Sequence, residues 1–175
     1  MILITDTAGD KAESPGLSPW MHANLEVQGY VLTRDESRAL RWGLRFPTAL
    51  CLAIVVTGLI LQSALLLGAL VPIGVVAGWT ARHPFDFVWN HGLRHLTGAP
   101  PLPPNPPPRR HGFKVGTVWL GTVTLLFAFG QPTAALIAGV PLALACGALT
   151  VANFCIPSTV LSLWRRRHGA GAATA

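Results

Sequence analysis

Two long stretches without a charged residue constrain this chain more than any other feature. Residues 46–81 and 115–164 contain no Asp, Glu, Lys or Arg, and each exceeds the roughly 20 apolar residues that a helix needs to cross a bilayer. Only 11% of the chain is charged, compared with about 25% of a soluble domain. The pattern predicts an integral membrane protein rather than a soluble globule.

Turn residues divide each stretch into a helical hairpin. Gln62 and Ser63 interrupt the first stretch, and Gly130-Gln131-Pro132-Thr133 interrupts the second, where Gly and Pro break helices. The fold class predicted is an all-α membrane protein with four transmembrane helices in two hairpins. We expect the spans at residues 46–61, 64–81, 113–129 and 134–154.

The basic residues indicate the orientation of these hairpins. All 13 Lys and Arg residues lie outside the two stretches, and neither hairpin tip carries a charge. By the positive-inside rule, both termini and the central loop face the cytoplasm. The side chains expected to anchor the protein to anionic phospholipids and the headgroup region are Arg38, Arg41, Arg45, Trp42, Trp79, Trp164, Arg165, Arg166 and Arg167.

Five segments follow from this topology. They are a polar leader (1–33), a juxtamembrane helix with the first hairpin (34–81), a cytoplasmic loop (82–112), the second hairpin (113–164) and a basic tail (165–175). Thr33 and Glu36 match a capping box that starts the juxtamembrane helix. In the loop, the sequence from His83 predicts an interfacial amphipathic helix, and seven prolines between Ala99 and Pro108 predict an extended linker.

The spacing of two loop histidines allows a second interpretation. His91 and His95 are four residues apart and would share a helix face, a spacing that can hold a metal ion or haem. Facing lipid phosphates is the simpler role, because Asp86 alone could complete a ligand set. We therefore predict no cofactor.

Small residues recur inside the spans, which contain no Asp, Glu, Lys, Arg or His at bilayer depth. Gly74 and Gly78 form one pair, and Gly139, Ala143 and Gly147 repeat at four-residue steps. Such faces let helices approach closely, either between the two hairpins or towards another subunit. The lack of intramembrane charges argues against a transporter or pump.

Three cysteines allow thiol chemistry at one position. Cys51 and Cys146 fall within spans and are expected to be buried apolar residues. Cys155 lies at the cytoplasmic end of the last span, just before a short helix expected from Ser158 to about Arg167. It is either a structural thiol in a reducing compartment or a reactive thiol beside a helix N-terminus.

Several segments together resemble a known family. They are Gln28-Gly29-Tyr30-Val31-Leu32, Glu36-Ser37-Arg38, His83-Pro84 and Phe154-Cys155-Ile156-Pro157-Ser158. Over about residues 28–165 the chain is similar to a bacterial family of small four-span membrane proteins known only as a domain of unknown function. The resemblance implies the bacterial inner membrane. Members often carry Cys-x-x-Cys where this chain has Cys155 and Ser158, and the missing second thiol argues against a dithiol cycle.

Three functions compete on these observations. The favoured hypothesis is a non-catalytic accessory or assembly subunit beside larger membrane proteins, in a respiratory or photosynthetic complex. The alternatives are a sulfur-transfer or redox protein that uses Cys155 with Ser158 as a hydrogen-bond donor, and metal or haem binding by His91 and His95. Asp86 is the only acid after Glu36, which argues against paired catalytic carboxylates, and topology explains the basic charge without nucleic acid.

Overall fold

The structure, a computed structural model, describes residues 18–169, with side chains for residues 18–164. Within residues 18–169 all regular structure is helical, and no strand occurs. The helices are α1 (Pro19–Val27), α2 (Arg34–Ala39), α3 (Arg41–Ile60), α4 (Ala64–Trp79), α5 (Pro84–Val88), a π-helical turn (Trp89–Leu93), α6 (Arg94–Thr97), α7 (Pro107–Ala128), α8 (Pro132–Ala152) and α9 (Ile156–Gly169). The all-helical part of the predicted fold class is therefore confirmed.

Two helices in the described part are long and apolar enough to cross a membrane. They are α3 and α8, with mean hydropathies of 1.8 and 2.1. A third span results if α4 and Pro84–Thr97 are treated as one broken span, although the chain bends by 84° between them. The fold is thus compatible with a membrane protein of two or three such spans.

The four long helices form a bundle around one apolar core. Helix α4 packs along α7 and α3 packs along α8, while the two hairpins bring α3 against α4 and α7 against α8. This order places each long helix between two others. The buried core consists of Val55, Leu59, Leu67, Leu70, Leu120, Val123 and Leu142.

The two hairpin turns lie where the sequence predicted them. Gln62 adopts a positive φ of 49°, and the hydroxyl of Ser63 accepts a hydrogen bond from the Leu66 amide, which caps α4. Gly130 has a φ of 69°, a conformation that glycine adopts without steric cost. Pro132 then starts α8 in the first turn, where a missing amide hydrogen costs nothing.

Helix α7 begins earlier than the sequence predicted. We expected an extended linker to Pro108 and a span from residue 113, but the extended segment ends at Pro106 and the helix starts at Pro107. The first-turn amides of a helix have no intrahelical acceptor, so prolines at these positions are tolerated. The shift brings Arg109 onto α7, inside the body of the protein.

The central loop is helical where the interfacial helix was expected, but it is not one regular helix. His83 and Asp86 form a capping box at the start of α5, and the π-helical turn then separates α5 from α6. A second buried cluster holds this loop against the N-terminal segment. Its members are Leu25, Tyr30, Leu40, Leu44, Trp89 and Leu102.

The N-terminal segment packs against the bundle as far as it is described. Residues 1–17 of the expected leader and residues 170–175 of the expected tail lie outside the described residues. Helix α1 falls within the expected leader, and its Leu25 is 2% exposed. The predicted capping box of Thr33 and Glu36 is confirmed at the start of α2.

Candidate functional site

A buried arginine connects the N-terminal segment to the second hairpin. Arg109, in the first turn of α7, is 3% exposed. Its Nη1 donates to Oε1 of Gln28 over 3.1 Å, and its Nη2 donates to the Leu44 carbonyl over 3.0 Å. The guanidinium carbon also lies 5.4 Å and 5.6 Å from the ring centroids of Tyr30 and Phe113. These contacts compensate for lost hydration, but Nε has no hydrogen-bond partner among the described residues.

Gln28 extends this connection to the end of α8. Its side chain is fully buried, and its Nε2 donates to the carbonyls of Asn153 over 2.6 Å and Asn24 over 3.1 Å. Asn153 ends α8 in a left-handed conformation with a φ of 51°, which asparagine adopts more readily than most residues. The amide of Gln28 therefore joins α1, α7 and the α8 terminus.

A hydrogen-bonded chain leads from Tyr30 into the central loop. The Tyr30 hydroxyl donates to Oδ1 of Asn105 over 2.9 Å, and Nδ2 of Asn105 donates to Oδ2 of Asp86 over 3.3 Å. The same oxygen of Asp86 accepts from the backbone amide of His83 over 2.8 Å. Burial raises the pKa of Asp86, although the His83 amide and the Arg109 charge oppose that shift.

His83 presents a hydrogen-bond donor to a cysteine thiol. Its Nδ1 accepts from the Phe85 amide over 3.2 Å, and burial, followed by the charge of Arg109, lowers the pKa of His83 to about 4. In a neutral imidazole the accepting nitrogen carries no proton, so the proton lies on Nε2. Nε2 is 3.7 Å from Sγ of Cys51. In this tautomer His83 can donate to that sulfur but cannot accept its proton through Nε2.

A second thiol lies where α9 meets α7. Cys155 is 7% exposed, and Oγ of Ser158 lies 3.0 Å from its sulfur and 2.9 Å from the Pro108 carbonyl. A hydroxyl has one proton, so Ser158 donates to only one of these acceptors at a time. Gly112 makes the approach possible, because a Cβ there would lie 2.7 Å from the sulfur.

Between α7, α8 and α9 lies a cavity of about 840 Å³, which we call the apolar cleft. Val115 to Leu120, Pro141 to Leu149 and Ile156 to Trp164 contribute its walls, and Val55 and Leu70 close its inner side. At the end of the cleft that faces the hairpin tip, the two helices are in contact, because Nε1 of Trp119 donates to the Ala138 carbonyl over 3.0 Å. The cleft therefore occupies the half of the α7–α8 pair farther from the tip.

All three cysteines line the apolar cleft. Cys51 of α3, Cys146 of α8 and Cys155 before α9 contribute to its surface, together with His83 and Arg109. The cysteines are free thiols. The structure thus brings the thiols of three separate elements to the apolar cleft.

The two histidines of the metal or haem hypothesis, His91 and His95, do not line the apolar cleft. Nδ1 of His91 is 3.0 Å from the Phe87 carbonyl, and its ring stacks on Phe87 at 4.1 Å. His95 is exposed on α6, after the π-helical turn. Within the described residues, no group of three or more His, Cys, Asp or Glu side chains could hold a metal ion.

The small residues of the expected packing faces lie at several helix contacts. A Cβ at Gly74 would meet Thr117, one at Gly78 would meet Lys114, and one at Gly139 would meet Leu59. Ala143 packs against the main core. At Gly147, apart from the adjoining backbone of α8, no atom of the described residues lies within 4 Å of the position of a Cβ.

The expected lipid anchors lie at the helix ends. Trp42, Trp79 and Trp164 are 58%, 54% and 58% exposed.

The expected arginine anchors make local contacts. Arg38 pairs with Asp35 in α2, and Arg41 lies over the ring of Trp42. Nη2 of Arg45 donates to the Val151 carbonyl over 2.9 Å, which links α3 to α8. Arg165, Arg166 and Arg167 are on α9, but their side chains lie outside the described residues.

Sequence reasoning missed the residue that organises the site. Arg109 belongs to no motif and was counted only among the basic residues of the loop. Gln28, His83 and Cys155, in contrast, belong to three of the segments that carried the family resemblance. The structure brings those three segments together around Arg109. Gln28 contacts it directly, Ser158 bonds to the neighbouring Pro108, and His83 lies close enough for the Arg109 charge to act on its imidazole.

Comparisons with known proteins identify one family. A family model described as Domain of unknown function (DUF4395) matches residues 41–166. The match includes His83, Arg109 and Cys155, whereas Gln28 and Tyr30 precede it. No curated protein and no solved structure matches the chain.

Proposed function

Because this chain belongs to the family described as Domain of unknown function (DUF4395), as its resemblance predicted, and that description names no activity, we propose a function from the site itself. The protein is a thiol-dependent membrane protein in which Cys155 is the reacting group. One observation carries this proposal. Cys155 lines the apolar cleft together with two other cysteines, and Oγ of Ser158 lies at hydrogen-bond distance from its sulfur.

The hydroxyl of Ser158 supports the reaction by changing its acceptor. When Cys155 is a thiol, Ser158 donates to the Pro108 carbonyl over 2.9 Å. When the sulfur is ionised, the hydroxyl rotates and donates to the sulfur over 3.0 Å, since hydrogen bonds to charged acceptors are the stronger ones. Ser158 is therefore a positioning residue for a thiolate.

The step that follows is thiol–disulfide exchange. The Cys155 thiolate attacks one sulfur of a partner's disulfide, a new S–S bond forms, and the other sulfur leaves as a thiolate that takes a proton from water. A second thiol of the partner then attacks the mixed disulfide and releases Cys155. The partner supplies both thiols, because Ser158 occupies the place of a second cysteine.

Alkylation kinetics test this proposal. In a protein with Cys51→Ser and Cys146→Ser, iodoacetamide labels Cys155 alone, and the rate is measured from pH 5 to 10. We expect labelling at neutral pH that slows at least tenfold in Ser158→Ala. Ser162→Ala is the matched control, because its hydroxyl bonds to the Thr159 carbonyl on the same helix. Equal rates in the two serine variants would refute the role of Ser158, and slow labelling in all three proteins would remove the chemical basis of the proposal.

A second proposal is the accessory or assembly subunit. Helix α8 carries an exposed apolar stripe with Ile137 (70% exposed), Val140 (50%), Leu144 (70%) and Val151 (68%) at heptad spacing. Gly147 lies in this stripe with open space above it, so another helix can approach closely. We expect the protein to co-purify with a larger membrane complex in mild detergent and Gly147→Leu to release it. Migration of the native protein alone would contradict this proposal.

We also propose a topology with four spans. Helices α3, α4, α7 and α8 each cross the bilayer, and the termini and the loop between α4 and α7 face the cytoplasm. The shortness of α4, 16 residues, or about 24 Å, implies local thinning of the bilayer around it. The uncharged hairpin tips and the basic residues at the opposite helix ends support this orientation. Arg38, Arg41 and Arg45 then lie where they can contact anionic phospholipids.

A further inference from the structure

The apolar cleft has the dimensions of a site for a long, narrow molecule. It extends along α7 from Arg109 to Leu120, roughly 16 Å at the helical rise of 1.5 Å per residue. Its volume of about 840 Å³ is within the range of small-molecule sites. At its deep end it reaches core side chains, including Val55 and Leu142. Only an apolar chain can occupy that end without losing hydrogen bonds to water.

The other end of the cleft contains a cation whose hydrogen bonds are incomplete. Arg109 lines the cleft and is 97% buried, and within residues 18–164 its Nε finds no hydrogen-bond partner. Among the described side chains no carboxylate forms an ion pair with it, although the charge of Asp86 acts on it from the loop side. A guanidinium with an unused N–H matches a carboxylate or phosphate oxygen. His111 and Trp164 also line this end.

We propose that the apolar cleft binds an anionic amphiphile with a single chain. Its tail lies between α7 and α8, and its carboxylate or phosphate accepts a hydrogen bond from Arg109. The inference goes beyond the proposed thiol chemistry and does not depend on it. Slow alkylation of Cys155 would remove the basis of the thiol proposal and would leave the binding of the amphiphile untouched.

Two glycines of α7 provide a matched pair of variants. Gly116 lines the cleft, whereas Gly121, five residues later on the same helix, does not. At both positions, in the part of the chain that the structure describes, nothing beyond the adjoining backbone of α7 lies within 4 Å of the position of a Cβ. Gly116→Leu therefore fills the cleft without an initial clash, and Gly121→Leu makes the same chemical change outside it.

The binding experiment uses the tryptophans of the cleft as reporters. The full chain in phosphatidylcholine nanodiscs is titrated with dibromostearate, and quenching of tryptophan fluorescence is followed; two of the six tryptophans, Trp119 and Trp164, line the cleft. We expect a saturable phase in the native protein and in Gly121→Leu, and at least tenfold weaker binding in Gly116→Leu. Similar titrations of the two glycine variants would overturn the proposal, provided that circular dichroism shows both to be folded.

The headgroup and its source are tested by competition. The corresponding neutral alcohol should bind at least tenfold more weakly than dibromostearate, and equal binding would overturn the role of Arg109. Displacement by palmitate identifies a fatty acid as the ligand, and displacement by lysophosphatidylglycerol alone identifies a lysophospholipid. Both results support an anionic amphiphile with a single chain, whereas displacement by neither would refute it.

Discussion

The positive charge of Arg109 is almost completely buried, and two hydrogen-bond acceptors stabilise it. Removing a charge from water is costly unless hydrogen bonds replace the lost hydration. Gln28 and the Leu44 carbonyl supply two of these bonds, and the Tyr30 ring supplies a further electrostatic contact. The stability of this junction therefore depends on neutral partners rather than on a salt bridge. Loss of either acceptor should lower the free energy of unfolding, because the buried charge is then less well compensated.

Gln28→Ala tests this dependence. The substitution leaves Nη1 of Arg109 and the Asn153 carbonyl without their partner, so we expect a loss of about 2 kcal/mol or more of unfolding free energy. For a protein of this size that lowers the thermal midpoint by about 4–8 °C, measurable by circular dichroism in mild detergent. Gln131→Ala, at an exposed hairpin tip, is the control and should change the midpoint by less than about 2 °C. An equal loss in both variants would contradict the role of Gln28.

The buried imidazole of His83 predicts a pH dependence of stability. Its pKa is about 4 in the folded state and 6.5 for an unperturbed histidine, so the unfolded chain binds the proton first as the pH falls. His83 costs no stability above pH 6.5, and stability is lost progressively between pH 6.5 and 4, by about 3 kcal/mol. His83→Asn, which can still cap α5, should flatten thermal midpoints measured from pH 4 to 8. His91→Asn, at an exposed position, should leave them as steep as in the native protein.

At this scale the sequence indicated some site residues and not others. Cys155 and Ser158 were predictable, because a thiol before a proline-started helix has a local signature. Arg109 was not, because its role arises from contacts with Gln28 and Leu44, which are 81 and 65 residues away in the chain. Hydrogen bonds of that range leave no local pattern in the sequence.

Among the helices, the breaks were more predictable than the starts. Gln62, Ser63 and Gly130 have local turn chemistry, and the hairpins turn at these residues. The π-helical turn of the central loop and helix α1 were missed. Helix α1 has only one fully buried apolar residue, Leu25, so its sequence shows no clear helical periodicity. Its position depends on contacts with the rest of the protein.

The contact between α4 and α7 can be tested at one glycine. A Cβ at Gly74 would meet the side chain of Thr117, so Gly74→Ala should cost about 1–3 kcal/mol by overpacking. Adding Thr117→Ala should recover part of that loss, because it removes the atoms in conflict. Gly116→Ala is the control on α7, where the space is open, and should be neutral or slightly stabilising. Thermal midpoints of Gly74→Ala, Thr117→Ala, the double variant and the control measure the coupling, and additive losses in the double variant would rule out a direct contact.

The arrangement of the helices in the whole molecule explains why the apolar cleft exists. Helix α9 packs on α7, while α7 and α8 stay in contact near their hairpin turn. The space between them is therefore closed at the turn and bordered by α9 at the other end, with α3 and α4 behind it. The sequence predicted two hairpins, but not that the second would remain apart along half its length. Helix α9 borders the separated half, and its Ser158 bonds to α7 through the Pro108 carbonyl.

The distribution of charge over the whole molecule predicts its orientation in the membrane. The hairpin tips at Gln62 and Gln131 carry no charged residue, whereas the opposite helix ends carry the basic residues. In a protein with all three cysteines replaced by serine, Gln62→Cys or Gln131→Cys should react with a membrane-impermeant maleimide added to intact spheroplasts. His95→Cys, at an exposed position on α6, should react only after lysis. Labelling of His95→Cys in intact spheroplasts would show that the protein has the opposite orientation. Labelling of only one tip would show that one hairpin does not cross the membrane.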